Sequence, residues 1–157
     1  MSIRHAIPMA LRSAYLALHR HSDARFSPLG ATADQFVLLA TLAGGDALTQ
    51  RELARRMSSD PSTVRAMLVL LEKKKLVVRE TPPDDARART VRISAAGRKL
   101  FDRLWDAGEP IRGEILSALT REEAGQLVVL LEKVAAALSS GQNGTAARSA
   151  LLKGKLA

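Results

Sequence analysis

The sequence predicts a mainly α-helical fold that carries one small β-hairpin. Apolar residues recur at spacings of three and four over most of the 157 residues, as they do on one face of a helix. Near position 92, by contrast, apolar and polar residues alternate, as in a strand. Three capping boxes mark helix starts, and they pair Thr32 with Gln35, Thr49 with Glu52, and Thr120 with Glu123.

Composition limits the kind of protein. The length fits one domain, or one domain plus an oligomerisation element. Cysteine is absent, which excludes disulfides, thiolate metal sites and cysteine nucleophiles. Arg4 and Pro8 interrupt the N-terminal apolar stretch, and no run of 18 apolar residues occurs. We therefore expect a cytoplasmic protein with no signal peptide and no membrane span.

In the first half of the chain, periodicity and turn residues predict four helices. The first covers residues 3–21 and ends at "RFSPLGA", and the second covers residues 32–43 and ends at "GGDAL". A short third helix covers residues 49–57. The fourth begins with Asp60 as N-cap and Pro61 at the first helical position, where proline loses no hydrogen bond, and it ends near residue 74.

The second half predicts two short antiparallel strands, in residues 77–93, joined by a long polar hairpin. Ser94 then caps a fifth helix to about residue 119, with a kink at residues 106–109 because Pro110 removes a backbone hydrogen bond. A sixth helix covers residues 121–138. The terminal helices are apolar on more than one face, which favours a partner subunit.

The third and fourth helices, joined at "MSSD" and followed by the hairpin, make a winged helix-turn-helix. In that fold the second helix of the pair enters the major groove of DNA, and the hairpin, or wing, reaches the backbone or the minor groove. The predicted organisation is a dimerisation helix in residues 1–30, the winged helix-turn-helix in residues 31–94, dimerisation helices in residues 95–139 and a mobile tail in residues 140–157.

Charge and helix geometry indicate which surface meets DNA. Residues 49–99 hold 13 lysines and arginines against six acidic residues, so they carry +7 of the net charge of +8; an ordinary solvated face is the competing explanation. At about 100° per residue, Val64, Met67, Leu68 and Leu71 share the buried side of the fourth helix. Its opposite side carries Ser62, Arg65, Ala66 and Val69.

The candidate DNA-binding residues are short side chains on that outward side and cations around it. Arg65 can donate two hydrogen bonds to a guanine, and Ser62 and Thr63 lie at the helix N-terminus, where a phosphate can bind. The helix dipole alone also favours lysine at the C-terminal end, so the lysines have a second explanation. The full set is Ser62, Thr63, Arg65, Ala66, Lys73, Lys74, Arg79, Arg87 and Arg89.

From about Met1 to Ser139, and most strongly from Leu48 to Leu100, the chain resembles the MarR-type (multiple antibiotic resistance regulator) transcription factors. The helix-turn-helix, the exit "LEKKKLV", the wing motif Asp85-Ala86-Arg87 and "VRISAAG" occur in the order and spacing of that family. The resemblance implies a homodimer in which the first, fifth and sixth helices interlock, and which binds pseudo-palindromic double-stranded DNA. It also implies that Asp85 shapes the wing and that Arg87 contacts the minor groove.

Three departures from the family pattern concern the fourth helix and its exit. Lys75 lies just past the fourth helix, where we expect a left-handed residue and where the family usually has glycine. The family often has an acidic and then a basic residue at Val69 and Leu70, and often a basic residue at Ala66. The last two departures weaken inferences about base contacts toward the C-terminal end of the helix.

The resemblance further implies a repressor that leaves DNA when a small aromatic or phenolic molecule enters a cleft beside the dimer helices. Candidate ligand-binding residues are His19, Phe36, Phe101 and Trp105. Aromatic residues at helical spacing are also common in cores, which is the competing explanation. The alternative function is an architectural DNA-binding protein without an effector.

Catalysis and metal sensing are disfavoured. The sequence has no nucleophile elbow and no phosphate-binding glycine loop. His19, His21 and Asp23 are neighbours, but a spacing of two directs side chains about 200° apart on a helix, so they cannot converge on zinc without a break near Ser22. We expect no enzyme activity, no metal and no cofactor.

Overall fold

The computed structural model describes residues 2–85 and 89–153, with side chains described up to Ser139. Its elements in chain order are α1 (Ile3–Phe26), a 3-10 turn (Ser27–Leu29), α2 (Ala33–Leu42), β1 (Leu48–Thr49), α3 (Gln50–Arg56), α4 (Pro61–Lys73), β2 (Val77–Glu80), β3 (Thr90–Ile93), α5 (Ala95–Ala107), α6 (Glu109–Ser117) and α7 (Arg121–Lys153). They fall into two compact units that divide between Ile111 and Arg112. The predicted mainly α-helical fold with a small β-hairpin is confirmed.

The predicted helix starts are confirmed by their hydrogen bonds. The capping boxes of Thr32 and Thr49 are complete, with both reciprocal bonds formed. At the start of α7, the N–H of Glu123 donates to the Thr120 hydroxyl at 3.2 Å, and the N–H of Thr120 donates to the Glu123 carboxylate at 2.8 Å. These local side chains satisfy amides that a helix leaves unpaired at its N-terminus.

Two helix ends lie beyond their predicted positions. α1 continues past His21 to Phe26, whose buried ring anchors the last turn in the core. α7 continues past Leu138 to Lys153, so its predicted end is wrong. The predicted mobility of the chain after Ser139 stays a prediction.

The predicted fifth helix, with a kink, is instead two helices. α5 ends at Ala107, and the N–H of Gly108 donates to the carbonyl of Leu104 at 3.0 Å. Pro110 is the second residue of α6, where its missing N–H breaks no helical bond. Proline therefore acts near a helix start here, and the break falls at Gly108.

The predicted hairpin belongs to a three-stranded antiparallel sheet in the order β1-β3-β2. In the β2–β3 pair Val77 lies opposite Ile93, and Arg79 lies opposite Val91. β1 was not predicted, because two residues are too few to show a strand period. Its buried Leu48 pairs with Val91, so the loop before α3 also holds the base of the wing.

The core of the first unit consists mainly of leucines and valines from α2 to α5, together with Phe26 of α1 and small alanines. Val64, Leu68 and Leu71 are buried on α4 and Met67 is partly buried, which confirms the predicted inner side of that helix. Each buried aliphatic side chain stabilises the fold by roughly 1.5–3 kcal/mol. This packing fixes the rotation of α4, and the opposite side is left at the surface.

The second unit has a different distribution of apolar residues. Between Arg112 and Ser139, where side chains are described, none is buried. Large apolar side chains at the surface of this stretch are Ile115, Leu116, Leu127, Val128, Val129, Leu130, Leu131 and Leu138.

Candidate DNA-binding site

A left-handed residue sets the turn between α3 and α4. Ser58 has φ of 51°; its N–H donates to Arg55 O at 3.1 Å, and the N–H of Ser59 donates to Ala54 O at 3.0 Å. This pair of bonds is the Schellman motif, which ends a helix and reverses the chain. The turn presents the N-terminus of α4 to solvent without glycine.

The exit from α4 uses the same motif at Lys75. That residue has φ of 59°; its N–H donates to Glu72 O at 2.8 Å, and the N–H of Leu76 donates to Leu71 O at 2.9 Å. The left-handed conformation predicted for Lys75 is confirmed. A side chain there is strained, since only glycine adopts this region without steric cost.

Ser94 and Gly97 bind this exit turn to the start of α5. The Ser94 hydroxyl donates to Lys75 O at 2.7 Å and accepts from the N–H of Gly97 at 3.0 Å, while the N–H of Ser94 donates to Leu76 O at 3.0 Å. A Cβ atom on Gly97 would lie 2.0 Å from Leu76 O. Glycine is therefore required for α5 to approach the turn this closely.

The outward side of α4 lies at the surface over its whole length. Ser62, Arg65, Ala66, Val69 and Lys73 are all exposed there. Most of these side chains are short, so the helix backbone can approach the floor of a groove closely. The predicted outward face is thus accessible, and its contacts with DNA stay a prediction.

Asp60 occupies the N-terminus of α4. Its carboxylate accepts hydrogen bonds from the Ser62 and Thr63 hydroxyls, and from the N–H of Thr63 at 2.9 Å. These bonds, that from Ser62 first, hold the pKa of Asp60 far below its ordinary value. An ionised carboxylate there repels phosphate, so this arrangement disfavours the predicted phosphate contact of Ser62 and Thr63.

Beside the outward face, three arginines from different elements meet in a cleft of about 250 Å³. Arg65 comes from α4, Arg79 from β2 and Arg89 from the chain just before β3, and the cleft is completed by Gln50 and Val91. Three of the predicted DNA-binding residues, separated by up to 24 positions, are thereby brought together. We call this site the arginine cleft.

Arg79 is held in the cleft by Glu72 of α4. The Arg79 Nε atom lies 3.0 Å from Glu72 Oε2, yet this buried Nε has no hydrogen-bond partner within the described part of the chain. The contact is a close ion pair in which the N–H does not point at the carboxylate. Glu72 thus fixes the guanidinium but leaves donor capacity unused.

The remaining predicted DNA-binding residues have varied surroundings. The Lys74 ammonium donates to Gly30 O at 3.0 Å, which gives this lysine a structural role within the first unit. The N–H of Asp85 donates to Pro82 O at 3.3 Å and closes a turn in the wing. Arg87 lies outside the described residues, so its minor-groove contact stays a prediction.

The four predicted ligand-binding residues divide between two aromatic groups. Phe36 stacks on Phe101 at 5.9 Å between ring centroids, and Phe101 lies 6.2 Å from Trp105. His19 instead lies 5.6 Å from the Tyr15 ring and 3.3 Å from the Asp23 carboxylate. Phe36 and Phe101 pack against the core, as the competing explanation requires, whereas Trp105 is 48% exposed.

Two residues of the site were missed from sequence. Gln50, the first residue of α3, lines the arginine cleft, and its amide donates to Pro61 O at 3.3 Å. Glu72 was overlooked because nothing in the local sequence indicates a partner on β2. Glu72 directly precedes the lysine run, and Lys75, three residues on, suggests an intrahelical pair instead.

Within residues 2–85 and 89–139, no three histidine, cysteine, aspartate or glutamate side chains are grouped as metal ligands. No helix in the described parts of the chain is both long and apolar enough to cross a membrane.

Comparison with known proteins gives consistent matches. Residues 29–88 match the model of the MarR family. An HTH-type transcriptional repressor of Mycobacterium tuberculosis is 30% identical over 112 residues, which are 71% of this chain and 81% of that protein. The multiple antibiotic resistance protein MarR of Escherichia coli is 31% identical over 109 residues, or 69% of this chain and 76% of that protein.

Solved structures share the fold. A mutant E. coli MarR complexed with operator DNA superposes with a TM-score of 0.75 and 26% identity, and the match covers 85% of this chain and 99% of that one. CouR of Rhodococcus jostii, bound to p-coumaroyl-CoA, gives 0.77 at 21% identity, covering 86% of this chain and 95% of that one. With its helix-turn-helix, its winged sheet and these relatives, the chain belongs to the MarR family of transcriptional regulators.

Proposed function

We propose that this protein is a homodimeric, sequence-specific transcriptional repressor that binds a pseudo-palindromic operator through α4 and the wing. The observation that carries the proposal is the arginine cleft, in which Arg65, Arg79 and Arg89 converge beside the outward face of α4. Three guanidinium groups in one cleft, opposed by the single carboxylate of Glu72, suit a strong anion.

The anion that best fits the cleft is a backbone phosphate of DNA. Arginine binds phosphate through charge-assisted, often bidentate hydrogen bonds, and such contacts fix the register of a protein on the duplex. Arg65 was predicted to read a guanine, but its place among the other arginines favours a phosphate. The outward residues beside it then face the base edges.

Ser62 and Thr63 have a more specific role in this arrangement. Their hydroxyl protons are donated to Asp60, so the free lone pairs of the hydroxyls act as acceptors. Acceptors suit the exocyclic amino groups that cytosine and adenine present in the major groove. We therefore assign these two residues to base contacts, with Asp60 keeping phosphate away from the helix terminus.

The homodimer is supported by the terminal helices. α7 exposes five consecutive large apolar residues, Leu127 to Leu131, and α1 exposes Ile3, Ile7, Met9, Tyr15 and Leu18. Contiguous apolar surface of this kind is typical of a subunit interface. Paired recognition helices then require half-sites about 10 base pairs apart.

The proposal includes a small aromatic effector. The observation that supports an effector is the exposed Trp105, which adjoins the Phe36–Phe101 stack. Titration with aromatic carboxylates and phenols should change tryptophan emission and release DNA over the same concentration range. A panel that changes neither at millimolar concentrations would favour a repressor without an effector.

Protection mapping of the DNA upstream of the gene tests the main proposal. We expect one protected pseudo-palindrome, and Arg89→Ala should weaken binding to all sequences and reduce the salt slope by about 1. Arg103→Ala, an exposed arginine of α5 outside the cleft, is the matched control. The architectural alternative predicts a small ratio of specific to non-specific affinity, and that result would replace the repressor assignment.

A further inference from the structure

The outward face of α4 contains a large apolar side chain that the arginine cleft does not use. Val69 is 54% exposed and lies one turn after Arg65 and Ala66. Measured around the helix at about 100° per residue, it is about 140° from the buried Val64. It therefore lies near the middle of the outward face, and along the helix axis it lies between Ala66 and Lys73.

Nothing in the described residues of the first unit accounts for a valine there. Its side chain is not part of the core cluster, and a β-branched residue at an exposed helical position forms helix less readily than alanine. The surrounding surface is polar and cationic, with Ser62 and Lys73 on the same face and the arginine cleft beside it. This charge pattern favours DNA as the covering partner over the apolar surface of a protein.

The major groove offers one apolar group, the C5-methyl of thymine. To reach this methyl group, a short apolar side chain must lie on a helix whose backbone can come close to the base edges. The small side chain of Ala66, one turn before Val69, allows that close approach. Arg65 can meanwhile reach the backbone from the edge of the same face. The groups needed for methyl contact and for backbone anchoring are thus adjacent on α4.

We propose that Val69 is a specificity-determining residue that packs against the C5-methyl group of a thymine in each operator half-site. The inference rests on the proposed DNA-binding function, and it names the base feature that this face reads. Because each subunit of the dimer presents the same face, the selected thymines should be related by the symmetry of the operator.

Uracil interference tests the contact, since uracil differs from thymine only by the methyl group. Duplexes spanning the protected DNA are prepared with single thymines replaced by deoxyuridine, and the affinity of the full-length protein is measured for each. Wild type should lose about fourfold in affinity at one thymine of each half-site, the value expected for burial of one methyl group. Val69→Ala should bind thymine DNA about fourfold less tightly and lose nothing further with uracil at that position.

Val37→Ala is the matched control, because Val37 is a similarly exposed helical valine, at 41%, and lies on α2, outside α4 and the wing. It should keep the uracil sensitivity of wild type. If wild type protects a specific site at which no uracil substitution matters, the inference is wrong while the proposed function stands.

Two further outcomes also overturn the inference. Unchanged uracil sensitivity in Val69→Ala would show that another side chain reads the methyl group. A change of oligomeric state in Val69→Ala, measured by light scattering, would show that a protein surface covers this face. If wild type protects no DNA at all, the proposed function fails first.

Discussion

The winged helix-turn-helix and the C-terminal helices use apolar residues in opposite ways. In the first, Leu38, Leu53, Leu68 and Leu71 are almost completely buried, and α4 keeps a mostly polar outer side. In the second, Leu127 to Leu131 are all at least 41% exposed. The winged lobe, which we define as α2 to α5 with the three-stranded sheet, encloses its own core. The leucines of the C-terminal unit, by contrast, are not covered within it.

This difference separates two tasks. A lobe with its own core can present a fixed surface to DNA, because its packing does not depend on a partner. A helix with apolar residues on several sides gains stability mainly by association. Stability of the lobe and assembly of the proposed dimer should therefore respond to different substitutions.

The largest expected effect is on assembly. Leu130→Glu should convert the dimer to a monomer at micromolar concentration, because it would place a charge in the apolar interface. Loss of the second winged lobe should then lower operator affinity by about 10² or more. Sedimentation and a binding titration measure the two effects.

Gln126→Glu adds the same charge one turn earlier on α7, at a position that is already polar and exposed, and it should leave the dimer intact. If the Leu130→Glu protein stays dimeric, the interface lies elsewhere, and the exposed leucines of α7 do not serve assembly.

Within the winged lobe, Gly97→Ala should have the largest effect on stability. Its Cβ would lie 2.0 Å from Leu76 O, so α5 would have to move away from the α4 exit at a cost of about 3 kcal/mol. Denaturant unfolding measures the loss. Gly113→Ala, also helical but with no atom within 4 Å of the added Cβ, should stabilise by up to about 1 kcal/mol; equal effects of the two would contradict the close packing.

A smaller effect is expected at the exit turn itself. Lys75→Gly should raise the free energy of unfolding by up to about 1 kcal/mol, since it relieves a left-handed side-chain conformation. The same change at Ser58, left-handed in the other turn, should act in the same direction. A lower denaturation midpoint for Lys75→Gly would mean that the lysine side chain contributes more than its strained backbone costs.

The smallest expected effect is on the pH dependence of the free energy of unfolding. Because hydrogen bonds from Ser62 and Thr63 lower the pKa of Asp60 in the folded protein, its stabilising contribution is present above the ordinary value of 3.8 and declines as pH falls below it. Asp60→Asn should remove this part of the acid sensitivity of unfolding. An unchanged slope of stability against pH in that variant would show that the carboxylate is not selectively stabilised in the folded state.

In the site, contacts between residues close in sequence were predicted, whereas contacts between distant residues were not. The Asp60 cap, the buried side of α4 and the left-handed Lys75 depend on neighbours within a few residues, and sequence predicted them. The Arg79–Glu72 pair and the Lys74–Gly30 bond join separate elements, so periodicity carries no signal for them.

The same distinction applies to the fold. The capped helix starts were predicted, but β1 depends on pairing with a strand more than 40 residues away. The interruption at Gly108 lies within the predicted residues 106–109, but it separates two helices where a kink in one was predicted, because Pro110 fits near a helix start as well as at a kink.

The three hydrogen bonds at Ser94 have a mechanical consequence. Two of them join the exit of α4 to the start of α5, and the third lies in the first turn of α5, so we expect a change in the direction of α5 to act directly on α4. The 13 residues of α4 span about 20 Å. Rotation by about 10° at the junction displaces the far end by about 3.5 Å, which is close to the spacing of successive base pairs. A small change of angle at α5 is therefore sufficient to move the reading face out of register with the DNA.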